Sequence, residues 1–222
     1  MNTATLGRVS DSVKTRRYHS PTRRRQAAAT RTAVLNAAQA LFTTRGYDQT
    51  SVTEIARRAK VSVDTVYASV GRKPQLLLAV HDMILGSSDE PVPAKERDYV
   101  RRIRHATTAE AKIRIYVGAL ADVLPHTAPL DLALRDARDP QCRELRASIS
   151  QRRRANMRLF VAELRTTGRL RPDLTDEHAA DLVWSMNSPE YFQLLADAGY
   201  TPHQYANLLA DTWTRTLLAA EA

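Results

Sequence analysis

Cysteine is nearly absent: Cys142 stands alone among 222 residues. No intrachain disulfide framework can form, and a reducing compartment is the natural setting. Glycine is scarce, at 7 residues, and aromatic residues make up 6% of the chain. Neither a glycine-rich phosphate loop nor a Gly-x-Ser-x-Gly nucleophile turn occurs. His, Cys and the acids nowhere fall at metal-ligand spacing, and His105 and His126 stand near acids without forming such a set. No apolar run reaches the roughly 18–20 residues that cross a bilayer. The opening stretch MNTATLGRVSDSVKTRRYHSPTRRR also lacks the apolar segment of a secretory signal. Alternating strand patterns and internal repeats are missing too. These absences lead to the expectation of an all-α cytoplasmic protein that is not an enzyme, with no catalytic residue, cofactor, metal or membrane partner.

Ala, Leu and Arg dominate, a composition that favours helices. Charge is distributed unevenly. Residues 1–86 carry 14 Lys or Arg and 5 Asp or Glu, which accounts for the whole net charge of +9, whereas residues 87–222 carry 19 of each sign. A basic region beside a neutral one points to a polyanion-binding part and a part with another task. The alternative is a solvated basic tail, and residues 1–24, polar and rich in arginine, read as a disordered basic arm.

Helical stripes begin with Val34, Leu35, Ala38, Leu41 and Phe42 in a first helix from about Arg25 to Arg45, stopped by Gly46. Val52, Ile55, Ala56 and Ala59 form a second stripe, with Thr50 or Ser51 as N-cap. After Lys60-Val61, Ser62 caps a third helix carrying Val66, Tyr67 and Val70, and Gly71 ends it. Pro74 opens a fourth helix to about Leu85. The break Gly86–Pro93 follows, then helices near 95–106, 109–124, 129–137, 140–167, 176–196 and 202–220, with Pro125, Pro129 and Pro140 as punctuation and Pro189 as a kink or split.

The second and third stripes satisfy the demands of a helix-turn-helix. Ala56 is small where the helices cross, and Ile55, Ala59, Val61 and Val66 are apolar toward a supporting helix. In such a unit the second helix enters the major groove with its early residues on base edges. Those residues are Ser62, Val63, Asp64, Thr65 and Ala68: Thr65 can hydrogen-bond, Val63 and Ala68 can touch a thymine methyl, and Asp64 can accept from a cytosine amino group. Phosphate contacts are expected from Tyr67, Lys73 and Thr50, with Arg57, Arg72 and the run Arg23, Arg24, Arg25 as further candidates; the run could also reach a minor groove. A plain three-helix packing unit remains the alternative on pattern alone.

The stretch GYDQTSVTEIARRAKVSVDTVYASVGRKPQLLLAV resembles the DNA-binding region of the TetR family of bacterial regulators. The resemblance is carried by Leu41-Phe42, Gly46-Tyr47, Thr50-Ser51, Ile55-Ala56, Ala59, Val61-Ser62, Thr65-Val66-Tyr67 and Lys73, and spans about residues 27–80. It implies DNA contacts by Thr50, Thr65, Tyr67 and Lys73. Two positions depart from the pattern: Lys60 stands where Gly is common, and Val70 replaces a usual Phe. The C-terminal stretch from Trp184 to Leu218 is similar to the end of an actinobacterial-type member.

The resemblance implies an N-terminal three-helix helix-turn-helix domain, residues 25–73, and a larger helical ligand-binding and dimerisation domain, residues 74–222. Apolar residues of the last helices, including Tyr191, Leu194, Leu208 and Trp213, exceed one amphipathic stripe, which suits a homodimer. Tyr116, His126, Met157, Trp184, Asn187 and Tyr191 combine an apolar body with a polar group and are candidates to line a small-molecule pocket, although core packing explains each one singly. The arginines 152–154 read as a solvated helix face, and Cys142 as an inert thiol. The expected function is a transcriptional repressor that binds double-stranded DNA at a pseudo-palindromic operator and is released by a small-molecule effector. An activator of the same fold, or a ligand-independent architectural DNA binder, are the competing readings.

Overall fold

The computed structural model describes residues 21–86, 88 and 92–220. Ten α-helices lie among them, and the one β feature is an isolated bridge between Leu170 and Leu218. The helices are α1 (Pro21–Arg45), α2 (Val52–Ala59), α3 (Val63–Ser69), α4 (Lys73–Gly86), α5 (Asp98–His105), α6 (Ala109–Asp136), α7 (Pro140–Arg165), α8 (Asp176–Met186), α9 (Pro189–Asp197) and α10 (Pro202–Leu217). The fold is all-α. None of these helices is long and apolar enough to cross a membrane.

Two boundaries differ from expectation, and at Pro189 one of the two expected forms is realised. α1 starts at Pro21, so residues 21–24 of the supposed arm are helical, while residues 1–20 lie outside the described residues. The Arg, Gln and Ala residues that follow are good helix formers and need no tertiary contact to extend the helix outward. α6 runs unbroken through Pro125 and Pro129. A proline removes one helical hydrogen bond, but Leu124, Ala128, Leu130 and Leu134 are all buried and hold the turns on both sides. The Thr127 hydroxyl adds a bond to Val123 O at 3.3 Å between the two prolines. Pro189 splits the expected helix: Ser188 caps α9, its hydroxyl accepting from Tyr191 N, and Pro189 takes the first position, where no N–H is needed.

Two apolar clusters fill the molecule. One joins Val34, Leu35, Phe42, Ile55, Val66, Leu76, Leu77 and Val80 of α1–α4 with Leu130 and Leu134 of α6 and Cys142 and Ile149 of α7. The other collects Ile113, Tyr116, Phe160, Leu164, Val183, Phe192, Tyr205, Leu209, Trp213 and Leu217 from α6 to α10. Helix α6 belongs to both, so the N-terminal helices do not form a separate core. Lys112 marks the one deep charge of the second cluster. Its ammonium donates to Ile103 O at 2.7 Å and pairs with Glu163 at 3.1 Å, tying α5 to α6 and α7. Burial without such partners would be prohibitive.

Candidate nucleic-acid interface and internal cavity

The helix-turn-helix is set by local chemistry. Ser51 and Glu54 form a capping box at the start of α2: the Ser51 hydroxyl accepts from Glu54 N at 3.2 Å, and Ser51 N donates to Glu54 Oε2 at 3.1 Å. Hydrogen bonds from the Ser51 backbone and hydroxyl, with the charge of Arg45, hold Glu54 below the usual carboxylate range. The Arg45–Glu54 pair, at 2.6 Å, joins the end of α1 to the start of α2. Lys60 then adopts the left-handed conformation, φ 58° and ψ 41°, and Val61 N closes on Ala56 O at 3.0 Å. Ala56 is 3% exposed at the crossing, where a larger side chain would part the helices.

Ser62 caps α3 by accepting from Thr65 N at 3.1 Å. From this short helix Asp64, Tyr67 and Ala68 project into solvent, Tyr67 at 48% exposure. Val66 points inward and Arg31 of α1 holds the far end, donating to Ser69 O at 2.7 Å. Gly71 turns the chain at φ +123°, a conformation that disfavours a side chain. Lys73 follows at the N-terminus of α4, its ammonium 4.1 Å from the centre of the Tyr47 ring. Partial burial lowers the Lys73 pKa, against the pull of Asp48.

Behind this face lies a cavity of about 450 Å³, bounded by α4, α5, α6, α7 and the α8–α9 junction. Its lining is largely apolar, including Leu85, Val92, Leu120, Val123 and Leu124. Polar groups gather on two walls. On one, His81 Nε2 lies 3.6 Å from Asp131 and Nδ1 lies 3.9 Å from Asp82, which pairs with Arg152 at 3.3 Å. Burial disfavours the charged imidazole, yet Asp131 and Asp82 outweigh it and raise the His81 pKa. Burial would likewise raise Asp82, but His81 and Arg152 overcome it and lower the pKa. His81 Nδ1 and Asp131 Oδ1 are buried without a hydrogen-bond partner.

On the other wall, Asn187 donates to the Tyr116 hydroxyl at 2.7 Å and to Met157 Sδ at 2.8 Å. Tyr116 in turn donates to the same sulfur at 3.1 Å. Arg153 donates to Asn187 Oδ1 and to Trp184 O, with its guanidinium 5.2 Å from the Trp184 ring. Loss of hydration pulls the Arg153 pKa below its usual value, and burial pushes Tyr116 upward.

The sequence pattern of bacterial regulatory proteins of the tetR family matches residues 34–80, the segment that builds α2, α3 and their supports. A transcriptional repressor of Mycobacterium tuberculosis, Rv3405c of the HTH type, is 37% identical over 132 residues, which cover 56% of this chain and 68% of the relative. The chain belongs to the TetR family. It is a transcriptional regulator with a helix-turn-helix DNA-binding domain. Among solved structures, the fold is similar to NalD, the secondary repressor of the MexAB-OprM multidrug efflux pump in Pseudomonas aeruginosa, at a TM-score of 0.65 and 21% identity, covering 86% of this chain and 98% of that one. It is also similar to FadR from Bacillus subtilis, solved with stearoyl-CoA, at a TM-score of 0.64 and 18% identity, covering 81% and 95%.

Within this TetR-family chain the anticipated DNA-facing residues part company. Ser62, Asp64, Thr65, Tyr67 and Ala68 share one outward helix, and Arg23, Arg24 and Arg25 are exposed on the first turns of α1. Val63 is half-buried, as Thr65 is, and packs one side against the N-terminal cluster. Thr50 is placed differently, at 1% exposure, with its hydroxyl donating to Gly46 O at 2.8 Å and to Leu41 O at 3.2 Å. These bonds close the end of α1, so the hydroxyl is turned away from a phosphate.

Of the pocket candidates, Tyr116, Met157 and Asn187 line the cavity. His126 faces solvent, while Trp184 and Tyr191 pack against the C-terminal cluster instead. The arginine run is not one solvated face: Arg152 pairs with Asp82, Arg154 with Asp181 at 2.6 Å, and Arg153 lines the cavity. Successive helical residues point about 100° apart, so three in a row cannot share a face. His81, Asp82 and Asp131 escaped the sequence reading. The first two interrupt the apolar run LLLAVHDMIL, the one sign available that α4 meets something polar. Cys142 is buried, which raises its thiol pKa and keeps it protonated.

Proposed function

We propose that this regulator is a repressor that binds a pseudo-palindromic operator as a homodimer and leaves it when a small molecule fills the cavity. The observation that carries the reading is the double role of α4. Leu76, Leu77 and Val80 pack in the cluster that backs the reading helix α3, while His81, Asp82 and Leu85, on the same helix, line the cavity. A molecule that settles against His81 and Asp82 acts on the element that positions the head. It needs only to favour one setting of α4 over the other to shift the balance between bound and released states.

In this scheme the head comprises α1–α3 and the effector-binding part begins with α4, near residues 73 and 74. Ser62, Asp64, Thr65 and Ala68 meet base edges, and Tyr67, Lys73 and Arg23–Arg25 meet phosphates. Two such heads read half-sites about 34–36 Å apart, one turn of DNA. Leu194 of α9, exposed to 65%, and Tyr200 just beyond that helix, exposed to 41%, leave apolar surface for a partner subunit to cover. The cavity and its polar walls argue for an effector and against a purely architectural role, which needs neither.

The test is selection of bound genomic fragments by the purified protein at near-physiological salt, beside Tyr67→Ala. A short pseudo-palindrome that is enriched by the parent protein and lost in the variant is the expected result. Uniform weak enrichment unchanged by Tyr67→Ala would remove α3 as the reading element.

A further inference from the structure

We propose that the cavity takes an amphipathic monoanion: a carboxylate held by Arg153, Asn187 and Tyr116, attached to an apolar body lying along the cavity lining. The assignment gives a chemical class to the effector of the repressor reading and takes its regulatory meaning from that reading. Binding itself stands on the geometry of one wall.

Three neighbouring arginines on α7 meet different fates. Arg152 has Asp82 and Arg154 has Asp181, but Arg153 donates only to two neutral oxygens, Asn187 Oδ1 and Trp184 O. The acids that act on it from a distance are engaged elsewhere, Glu190 with Arg146 at 2.6 Å and Asp131 beside His81. A partly desolvated cation on an apolar cavity wall is costly without an anion against it. Its depressed pKa reports the same deficit.

The donors beside it have few acceptors: one Asn187 N–H is met by the Tyr116 hydroxyl at 2.7 Å, and the rest share a sulfur. Tyr116 O–H and Asn187 N–H both converge on the thioether of Met157, a weak acceptor. Two good donors sharing one sulfur mark a wall with donors in excess. A carboxylate brings two oxygens and about four lone-pair directions, and hydrogen bonds to it are charge-assisted. It would draw in the Arg153 fork, Asn187 and Tyr116 at once, and the thioether would lose only weak bonds.

A cation is disfavoured by the opposite wall. Asp82 and Asp131 are the only carboxylates of the lining, and they already face Arg152 and His81. Asp131 Oδ1, which lacks a donor, is the one place where an ammonium could sit. With Arg97 also on the lining, the balance of charge around the cavity is positive.

The experiment varies the head group on one apolar body. The full chain is titrated with decanoate, decanol and decylammonium at neutral pH, following tryptophan emission, since Trp184 lies against Arg153 and Trp213 stacks near Tyr116. Decanoate is expected to bind at least about tenfold more tightly than either relative, the size of one charge-assisted contact. Arg153→Met should erase that preference. Asn187→Asp, which sets an internal carboxylate beside Arg153, should erase it too without lowering the melting temperature, so the answer does not depend on one variant folding. Decylammonium binding tightest, equal binding of all three, or undetectable decanoate binding would overturn the assignment. Operator release is measured separately: decanoate that binds and leaves DNA affinity unchanged sinks the release mechanism but not the anion site.

Discussion

Tyr67 and Arg153 both present a polar tip where another molecule can sit, one in open water on α3 and the other on the wall of a cavity between helices. In the head, recognition faces outward. Asp64 and Tyr67 require no internal partner because water serves them, so the helix beneath can be an ordinary dry packing in the cluster of Val66, Ile55 and Leu35. In the body, the cavity's polar groups face inward, and each must be matched within the protein or left unsatisfied. His81, Asp82, Asp131 and Arg152 set charge against charge, with His81 Nδ1 and Asp131 Oδ1 left without a hydrogen bond, whereas Arg153 and its neighbours settle for carbonyls and a sulfur. Outward sites therefore reveal themselves by exposed residues at fixed spacing, and inward sites by unbalanced donors and acceptors.

The sharpest way to break this contrast is to remove the body's central ring. Trp213 is fully buried against Tyr116 and Phe160, and Trp213→Ala should cost about 3–5 kcal/mol in chemical denaturation. Because Leu130, Leu134 and Ile149 belong to the head's cluster, one cooperative transition is expected. A head that stays folded after the body melts would show the two cores to be independent.

A smaller effect separates the inward site from the outward one by pH. The His81 pKa is raised in the folded protein, so its contribution is complete below the ordinary imidazole value and is lost as pH rises through the folded value. Asp82 of α4, Asp131 of α6 and Arg152 of α7 face it. The parent protein should thus lose thermal stability as pH rises from about 6.5, the ordinary imidazole value, through the higher folded value, while His81→Asn flattens that part of the curve. Parallel curves for the two proteins would show that His81 is not the titrating group.

The least effect concerns the head alone. Lys60 is the one described non-glycine residue at positive φ, and Lys60→Gly should raise stability by about 1 kcal/mol through relief of that conformation. Equilibrium unfolding reads the gain, and a loss would mean that the lysine stem packs usefully on the turn.

The head was legible because its determinants are close in sequence. The cap at Thr50 or Ser51, the Lys60 turn, the Ser62 cap and the stripe through Ile55 and Val66 each lie within a few residues, and a pattern of residue types suffices to locate them, while the structure chooses Ser51 and closes its box with Glu54. Thr50 and Val63 show the limit even there. Their types fit an outward role, but only the packing of α1 against α2 and α3 turns Thr50 inward and half-covers Val63. The prolines of α6 were misread for a related reason: a local helix-breaking tendency was overruled by burial on both sides of the breaks.

By itself, then, the sequence determined the helical class, the third helix and its N-cap, and the concentration of positive charge in the first 86 residues, since periodicity, capping and charge are local or additive properties. Tertiary structure alone decided the cavity. Tyr116 meets Asn187 across 71 residues, Arg153 meets Asn187 across 34, and His81 meets Asp131 from another helix. A one-dimensional pattern can mark a position as polar, but the partner that neutralises or strands it is chosen only when distant helices pack.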